Sequence, residues 1–298
     1  METKTKKGIA LAITAAALYA LNAPLSKVLL NSLPPTLTAG LLYIGAGLGM
    51  LPVALLRRFK KGGQPEARLT RAELPYTVLM IVLDIAAPIC LLIGLRSTPA
   101  ASASLLNNFE IVATAVLALV LFGEKISPRL WLGILTITAS CALLSFEGTA
   151  GLKLSGGSLF ILLASVCWGL ENNCTRKLSA KDPMEIVLLK GIFSGIGSLC
   201  IGFFAGERIT SPKSAAAALA VGFLAYGMSI FFYVYAQRFI GAARTGTYYA
   251  VSPFIAVILS FILFHEMPAA TYFVALGLMM VGAWLASDDK PIFKRTKP

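Results

Sequence analysis

Long apolar runs separated by short polar stretches fill nearly the whole chain. Most of them reach the roughly 20 residues that a helix needs to cross about 30 Å of hydrocarbon. Prolines stand near the start of several runs, where the missing N–H costs nothing, and no segment alternates like a barrel strand. The pattern predicts an all-α integral membrane protein with ten transmembrane helices, near residues 8–30, 35–56, 74–96, 99–122, 129–147, 156–178, 184–206, 214–238, 242–264 and 269–287.

The composition also favours insertion in a membrane. Of 298 residues, 57% are hydrophobic and only 13% are charged, and the mean hydropathy is +0.79. Soluble domains of ordinary composition are much less apolar. The first run follows Lys4, Lys6 and Lys7 as in a signal peptide, but it is longer than such a segment needs, so we interpret it as the first span and expect no cleavage.

The distribution of the basic residues predicts how the chain is oriented. With both termini in the cytoplasm, most of the 26 lysines and arginines fall on the inner side, and Lys190 falls within a span. This asymmetry follows the positive-inside rule, so it accounts for the net charge of +12 without a nucleic-acid partner. We expect a multi-pass protein of the cytoplasmic (inner) membrane with both termini cytoplasmic. The outer side keeps only Lys27, Arg96, Lys153, Arg208 and Lys213.

A weak internal repeat relates the two halves of the chain. At a constant shift of 149 positions, Tyr19 matches Trp168 and Asn22 matches Glu171, and a shift of 142 applies later in each half. Each half contains five predicted spans, an odd number, so the second half enters the membrane from the opposite side. Inverted repeats of this kind place a binding site near the midplane where the halves meet. The two predicted domains are residues 1–150 and 151–298.

Two short motifs carry a resemblance to a known family. The stretch 122–127 (Phe-Gly-Glu-Lys-Ile-Ser) leads to Trp131-Leu132-Gly133, and a weaker counterpart, Phe264-His265-Glu266, leads to Ala275-Leu276-Gly277. With its two five-span halves, the chain resembles the EamA-like transporters of the drug/metabolite transporter superfamily. The resemblance implies that helices one to four and six to nine surround a cavity, with helices five and ten at the periphery or in a homodimer contact.

The fourth span departs from the pattern of that family. Family members commonly have a proline near the middle of this span, as Pro253 stands in the ninth, but here the region reads Asn107-Asn108-Phe109-Glu110-Ile111. A carboxyl group at this place means that substrate preferences do not transfer simply from the family.

Four ionisable residues fall inside predicted spans: Asp84, Glu110, Glu171 and Lys190. A charge at the bilayer centre costs roughly 2.5–3.5 kcal/mol on insertion scales, so each is a candidate for proton or substrate coupling. With three acids and one base, we expect at least one carboxyl group to be protonated at rest, as a proton relay requires. The alternative is that Lys190 pairs with one acid while the others bond to amide or backbone groups.

Other polar and aromatic residues share helical faces with these four. Steps of three and four residues place Asn107 beside Glu110, and Trp168 beside Glu171. Such side chains alternatively only join helices, through hydrogen bonds worth about 0.6 kcal/mol each. The predicted substrate cavity is lined by Tyr19, Asn22, Asn107, Asn108, Trp168, Asn172, Tyr226 and Tyr248. Candidate hinge or gate residues are the prolines inside spans, Pro24, Pro88 and Pro253.

The motifs of other functional classes are missing from the sequence. No nucleophile triad, HExxH, P-loop or dinucleotide motif is present, and the five cysteines have no metal-binding spacing, so we expect no enzyme, cofactor or metal. We predict a secondary active transporter that exports amino acids or related small metabolites, coupled to protons. An exporter of multiple drugs or organic cations is the alternative, and an integral-membrane enzyme or lipid-handling scaffold is the alternative of another class.

Overall fold

The structure is a computed structural model that describes residues 2–59, 67–123, 126–147, 153–178, 181–240, 245, 248–265 and 270–286. These residues are almost entirely helical, which confirms the predicted all-α class. The exception is a small antiparallel pair, β1 (Phe146–Glu147) and β2 (Lys153–Leu154), in the connection between the two halves of the sequence.

The helices follow one another with short connections. They are α1 (Glu2–Ala20), α2 (Asn22–Leu29), α3 (Pro35–Phe59), α4 (Leu74–Ser97), α5 (Ala100–Leu106), α6 (Phe109–Phe122), α7 (Pro128–Ser145), α8 (Gly156–Leu178), α9 (Pro183–Leu189), α10 (Gly195–Phe204), α11 (Pro212–Gly222), α12 (Ser229–Ile240), α13 (Ser252–Phe264) and α14 (Ala270–Ala286). A 3₁₀ turn, Arg71–Glu73, precedes α4. Two π-helical segments, Lys190–Ser194 and Phe223–Met228, join α9 to α10 and α11 to α12.

Seven helical stretches of the described chain are long and apolar enough to cross a membrane. They are Thr5–Leu29, Pro35–Leu56, Arg71–Ser97, Ala100–Leu121, Pro128–Ser145, Pro183–Phe204 and Pro212–Ala236. The predicted span 156–178 corresponds to α8, a continuous helix whose sequence contains several polar residues. The last two predicted spans begin outside the described residues, and the shorter apolar helices α13 and α14 cover their remaining parts.

Two spans that the sequence predicts as continuous helices are broken in the structure. The first breaks at Leu21, between α1 and α2, and Pro24 lies in the first turn of α2, where it cannot donate to the Ala20 carbonyl. The fourth breaks between α5 and α6, where the N–H groups of Asn108 and Glu110 bond to carbonyls three residues back. Polar residues stand at both places, Asn22 at the first and Asn107 and Asn108 at the second, but they are too few to divide an apolar run of span length.

Most helix packing joins the first half of the chain to the second. Helix α4 packs on α8 and α1 on α12, while α6 packs on α8 and α1 on α13. Helix α3 lies against α10 and α11, α5 against α13, and α7 against α14. Where α3 meets α11, a Cβ on Gly45 would lie 2.1 Å from the Leu219 carbonyl oxygen, so the two backbones approach as closely as only glycine permits.

Helices α6 and α13 end in the same way. Gly123 follows α6 with φ 65° and donates its N–H to the Leu119 carbonyl at 3.0 Å. His265 follows α13 with φ 52° and donates to the Phe261 carbonyl at 3.0 Å. The left-handed conformation is easy for glycine and strained for histidine, so the matching geometry at His265 is not a consequence of residue type.

Helices α7 and α14 form a pair at one edge of the bundle. The Arg129 side chain donates to the Trp284 carbonyl at 3.2 Å and lies 4.7 Å from the centroid of the indole ring, and Ser140 donates to the Ala275 carbonyl at 2.7 Å. Their outer faces expose large apolar side chains, among them Leu135. Such a face suits lipid or a second apolar surface.

Candidate functional site

A buried ion cluster lies between α4, α8 and the first π-helical segment. The Lys190 ammonium lies 2.5 Å from Glu171 Oε1 and 3.3 Å from Asp84 Oδ2. The three side chains are only 9%, 5% and 2% exposed, respectively. Charges this deep remain stable only when they are paired and hydrogen-bonded, so the three groups depend on one another.

Neighbouring hydroxyl groups orient the two carboxylates. Tyr43 on α3 donates to Asp84 Oδ1 at 2.9 Å, and Thr175, one turn further along α8, donates to Glu171 Oε1. The second oxygen of Asp84, Oδ2, accepts no hydrogen bond within the described part of the chain. Asp84 is therefore fixed through one oxygen by Tyr43, while the other oxygen contacts the Lys190 ammonium at 3.3 Å.

Glu110 forms a second polar contact, between α6 and α8. Asn172 donates through Nδ2 to Glu110 Oε1 at 2.6 Å and approaches Thr114 Oγ1 at 3.3 Å. The next residue, Asn173, donates to the Thr114 carbonyl at 3.1 Å and to the Gly169 carbonyl at 2.8 Å. Glu110 thus has an amide partner, and no cationic side chain pairs with it among the residues that the structure describes.

A cluster of tyrosine rings adjoins these polar contacts. The Tyr226 ring lies 5.0 Å from that of Tyr43 and 6.0 Å from that of Tyr19, measured between centroids. Tyr249 extends the cluster, 5.7 Å from Tyr19 and 4.8 Å from Tyr233. Tyr43 belongs to both the ring cluster and the ion cluster, so the two are continuous.

Irregular helical geometry coincides with the polar residues. Lys190 begins one π-helical segment and Tyr226 lies within the other, while Asn22 and Asn107 stand at the two helix breaks. Interrupted and π-helical turns change the direction of side chains and occur often at functional sites of membrane transporters.

Polar contacts connect chain segments at both ends of the bundle. At the end predicted to be outside, Lys27 donates to the carbonyls of Leu95, Arg96 and Thr98, and Glu207 accepts the N–H of Leu37 at 2.9 Å. A surface depression of about 460 Å³ lies there, lined by residues 30–34, Arg96, 206–208 and Thr210.

At the opposite end, Glu185 accepts the N–H of Leu69 at 3.0 Å, and Lys181 pairs with Glu73 at 3.0 Å. The buried ion cluster lies between the two ends.

Comparison with known proteins identifies the family. The sequence pattern of the EamA-like transporter family matches residues 6–146 and again residues 155–288. The chain belongs to the EamA-like transporter family. This match confirms the family that the two sequence motifs predicted.

Relatives of this EamA-like protein are named as transporters. An uncharacterized transporter of Methanothermobacter thermautotrophicus is 27% identical over 270 residues, covering 85% of this chain and 78% of the relative. The uncharacterized inner membrane transporter YedA of Escherichia coli strain K12 is 27% identical, covering 90% and 86%. YvbV, an uncharacterized transporter of Bacillus subtilis, is 27% identical, covering 93% and 90%. These names support a transporter role in a membrane.

A solved crystal structure shares the fold of this EamA-like chain. It superposes with a TM-score of 0.68 over 94% of this chain and 95% of its own, at 18% sequence identity. At that identity the likeness concerns the fold alone.

The structure brings together most of the residues that the sequence singled out in this EamA-like protein. Asp84, Glu171 and Lys190 form one cluster, and Glu110 contacts Asn172. At the break in the fourth span, two side-chain amide atoms have no hydrogen-bond partner within the described chain. They are Asn107 Oδ1 and Asn108 Nδ2. Asn22 and Trp168 are buried, and Asn22 accepts a hydrogen bond from Ser26 at 3.1 Å.

Other predicted positions lie elsewhere in the EamA-like fold. Tyr248 packs in a separate apolar cluster with α1 and α12, and the adjacent Tyr249 joins the ring cluster instead. Pro88 lies inside the continuous helix α4. Pro253 lies in the first turn of α13 rather than in the interior of a helix. Tyr43 was not predicted, and a single hydroxyl group within an otherwise apolar run was the only signal for it. Glu124 and Glu266 lie outside the described residues.

Proposed function

We propose that the chain is a secondary active transporter that exports amino acids or related small metabolites across the cytoplasmic membrane in exchange for protons. It has ten spans in two halves of opposite orientation, residues 1–150 and 151–298, with both termini in the cytoplasm. The location of the lysines and arginines supports this orientation, and the inner-membrane name of a relative supports the location.

Three observations support the inverted repeat. The family pattern matches the chain twice, once in each half. Gly123 and His265, whose helices end alike, are 142 positions apart, the shift found in the sequence. The helix contacts also agree with the repeat. It matches α4 with α12 and α8 with α1, and the structure shows both contacts, α4 with α8 and α12 with α1. An odd number of spans in each half then gives the halves opposite orientations.

The observation that carries the proposal is a polar network that joins the two halves and is buried at Asp84, Glu171 and Lys190. Asp84 from the first half contacts Lys190 from the second, and Glu110 from the first half contacts Asn172 from the second. Rocking of one half against the other would break and remake these contacts. A substrate or proton that binds to them is therefore coupled to the change of access.

Glu110 is the proposed proton-binding group. Glu110 is only partly exposed, and a carboxylate largely removed from water without a cation partner is costly, whereas a proton removes the charge. Asp84 and Glu171 instead share the ammonium of Lys190, so their charges are partly compensated in the absence of a proton. Asn172 can donate to Glu110 in both protonation states, which keeps the carboxyl group in place while it exchanges its proton.

An exporter of organic cations is the second candidate, because one observation favours it. The tyrosine rings of Tyr19, Tyr43 and Tyr226 adjoin the acids, and a cation bound there would gain both charge and ring contacts. Lys190 argues against it, because this residue already places a cation between Asp84 and Glu171. A membrane enzyme fits less well, since the network consists of mutually paired charges rather than a nucleophile and its base.

Proton movement in proteoliposomes tests the proposal. Vesicles loaded with a pH-sensitive dye are exposed to pooled amino acids, pooled metabolites and pooled cationic drugs, with wild type, Asp84→Asn, Glu110→Gln and Glu171→Gln. Glu73→Gln is the matched control, because Glu73 pairs with Lys181 away from the network. We expect one pool to move protons with wild type and the control, and a network variant to abolish the movement. Silence with every pool in folded wild-type protein would contradict the proposal.

A further inference from the structure

Lys190 occupies the position that a cationic substrate group would take. Its ammonium lies between two buried carboxylates, 2.5 Å from Glu171 and 3.3 Å from Asp84. These distances leave no room for a second cation between the same two acids. A substrate cation that binds there must therefore displace the lysine from at least one of them.

The two carboxylates contact Lys190 at unequal distances. Glu171 is held by the shorter contact and by the Thr175 hydroxyl, whereas Asp84 is held through Oδ1 by Tyr43. Asp84 Oδ2 contacts Lys190 at the longer distance of 3.3 Å, and no other group of the described chain bonds to this oxygen. The contact between Asp84 and Lys190 is accordingly the one that a ligand would open.

The backbone beside Lys190 packs closely on α3, so a displaced ammonium would move by rotation of its own side chain. A Cβ on Gly191 would lie 2.4 Å from the backbone nitrogen of Gly47, which shows how closely this segment rests on α3. The long lysine side chain can change rotamer without disturbing that contact.

The charges of a ligand determine whether it can separate Asp84 from Lys190 favourably. A ligand with a cation alone would pair with Asp84 but leave the lysine with fewer partners in a buried site, which is strongly unfavourable. A ligand with both a cationic and an acidic group would give its ammonium to Asp84 and its carboxylate to Lys190, so every charge stays paired.

We propose that Lys190 is a specificity-determining residue that binds the acidic group of the substrate while Asp84 binds its ammonium group. The site then accepts ampholytes and rejects amines that lack an acidic group. This inference rests on the proposed transport function, and it assigns the binding role to the pair of Asp84 and Lys190, separate from the proton role of Glu110.

Equilibrium binding to purified protein tests this assignment independently of transport. The pool of the twenty amino acids is compared first with a pool of amines, by thermal stabilisation. Matched pairs are then titrated by calorimetry: leucine and 3-methylbutylamine, phenylalanine and 2-phenylethylamine, lysine and 1,5-diaminopentane. We expect wild type to bind at least one amino acid about tenfold or more tightly than the amine that lacks its carboxylate.

Substitution of Lys190 should reverse this preference. Lys190→Met is expected to weaken binding of the amino acid about tenfold or more and to strengthen binding of the matching amine, and Lys190→Arg should keep the wild-type order. Lys181→Met is the matched control, since Lys181 pairs with Glu73 at the edge of the bundle. If Lys190→Met does not fold, Glu171→Gln combined with Lys190→Met keeps the net charge of the cluster and leaves Asp84, and it should bind the amine more tightly than the amino acid.

The outcomes separate this inference from proton coupling. Equal binding of amino acid and amine by wild type, no binding of any amino acid in the pool, or unchanged amino-acid binding by Lys190→Met would each overturn the role of Lys190. Selective binding in protein that moves no protons would leave this role standing and contradict the proton exchange.

Discussion

Asn172 donates a hydrogen bond of 2.6 Å to Glu110, so a helix of the second half holds the only carboxyl group of α6. The neighbouring residue along α8, Glu171, turns instead toward Lys190. Consecutive residues of α8 thus contact two separate parts of the network. Movement of α8 relative to the first half would affect both contacts together.

The pairing of Glu110 with Asn172 should be measurable as a coupling energy. In a double-mutant cycle with Glu110→Ala and Asn172→Ala, we expect the effects on unfolding free energy to be non-additive by about 1 kcal/mol, since hydrogen bonds within membranes contribute about 0.6 kcal/mol on average and up to about 1.7 kcal/mol. The free energy is measured by denaturation in mixed micelles. Asn172→Ala combined with Ser140→Ala on α7 is the control and should be additive within about 0.5 kcal/mol. Additivity in the first pair would mean that the contact contributes nothing.

Glycines in the packing of α3 against α11 should be intolerant of even one methyl group. A Cβ on Gly222 would lie 1.9 Å from the Leu42 carbonyl oxygen, so we expect Gly222→Ala to destabilise the protein by about 1–3 kcal/mol. Gly277 on α14 is the matched control, because nothing lies within 4 Å of its Cβ position. Thermal unfolding in detergent should show a lower melting temperature for Gly222→Ala alone. Equal melting temperatures would contradict the close approach of the two helices.

The orientation can be tested by labelling single cysteines in intact cells. The background replaces the five native cysteines, Cys90, Cys141, Cys167, Cys174 and Cys200, by alanine. We expect an impermeant maleimide to label Lys213→Cys from outside, because the start of α11 is predicted on the outer side. Gly62→Cys, in the basic loop predicted inside, should react only after the cells are permeabilised. The reverse order of labelling would invert the proposed topology.

The sequence predicts the ionisable groups of the site because charges are conspicuous within apolar runs. Asp84, Glu171 and Lys190 could be named without a structure, since each is costly in hydrocarbon unless it is paired. Their partners were less predictable, because helical spacing relates residues of one helix and says nothing about how two helices cross. For that reason only the structure shows that Glu110 contacts Asn172 and not the helical face that contains Glu171.

Other features could not be read from the sequence for local reasons. At Asn107 and Asn108 the helical hydrogen bonds are interrupted, but two polar residues within an apolar run of span length are not enough to predict a break. The π-helical turn at Lys190 coincides with the close contact of Gly191 against α3, a tertiary contact that the local sequence does not indicate. Tyr43 resembles an ordinary packing residue until its hydroxyl group is seen to donate to Asp84.

The central claim is that Glu110 binds the proton that drives transport. The direct measurement compares transport driven by an imposed pH gradient with exchange of labelled substrate in the absence of a gradient, for wild type and Glu110→Gln in proteoliposomes. Glutamine is uncharged and still accepts the hydrogen bond from Asn172, so it imitates the protonated carboxyl group. We predict that Glu110→Gln loses gradient-driven transport by about tenfold or more and retains exchange. Gradient-driven transport at the wild-type rate in Glu110→Gln would contradict the claim.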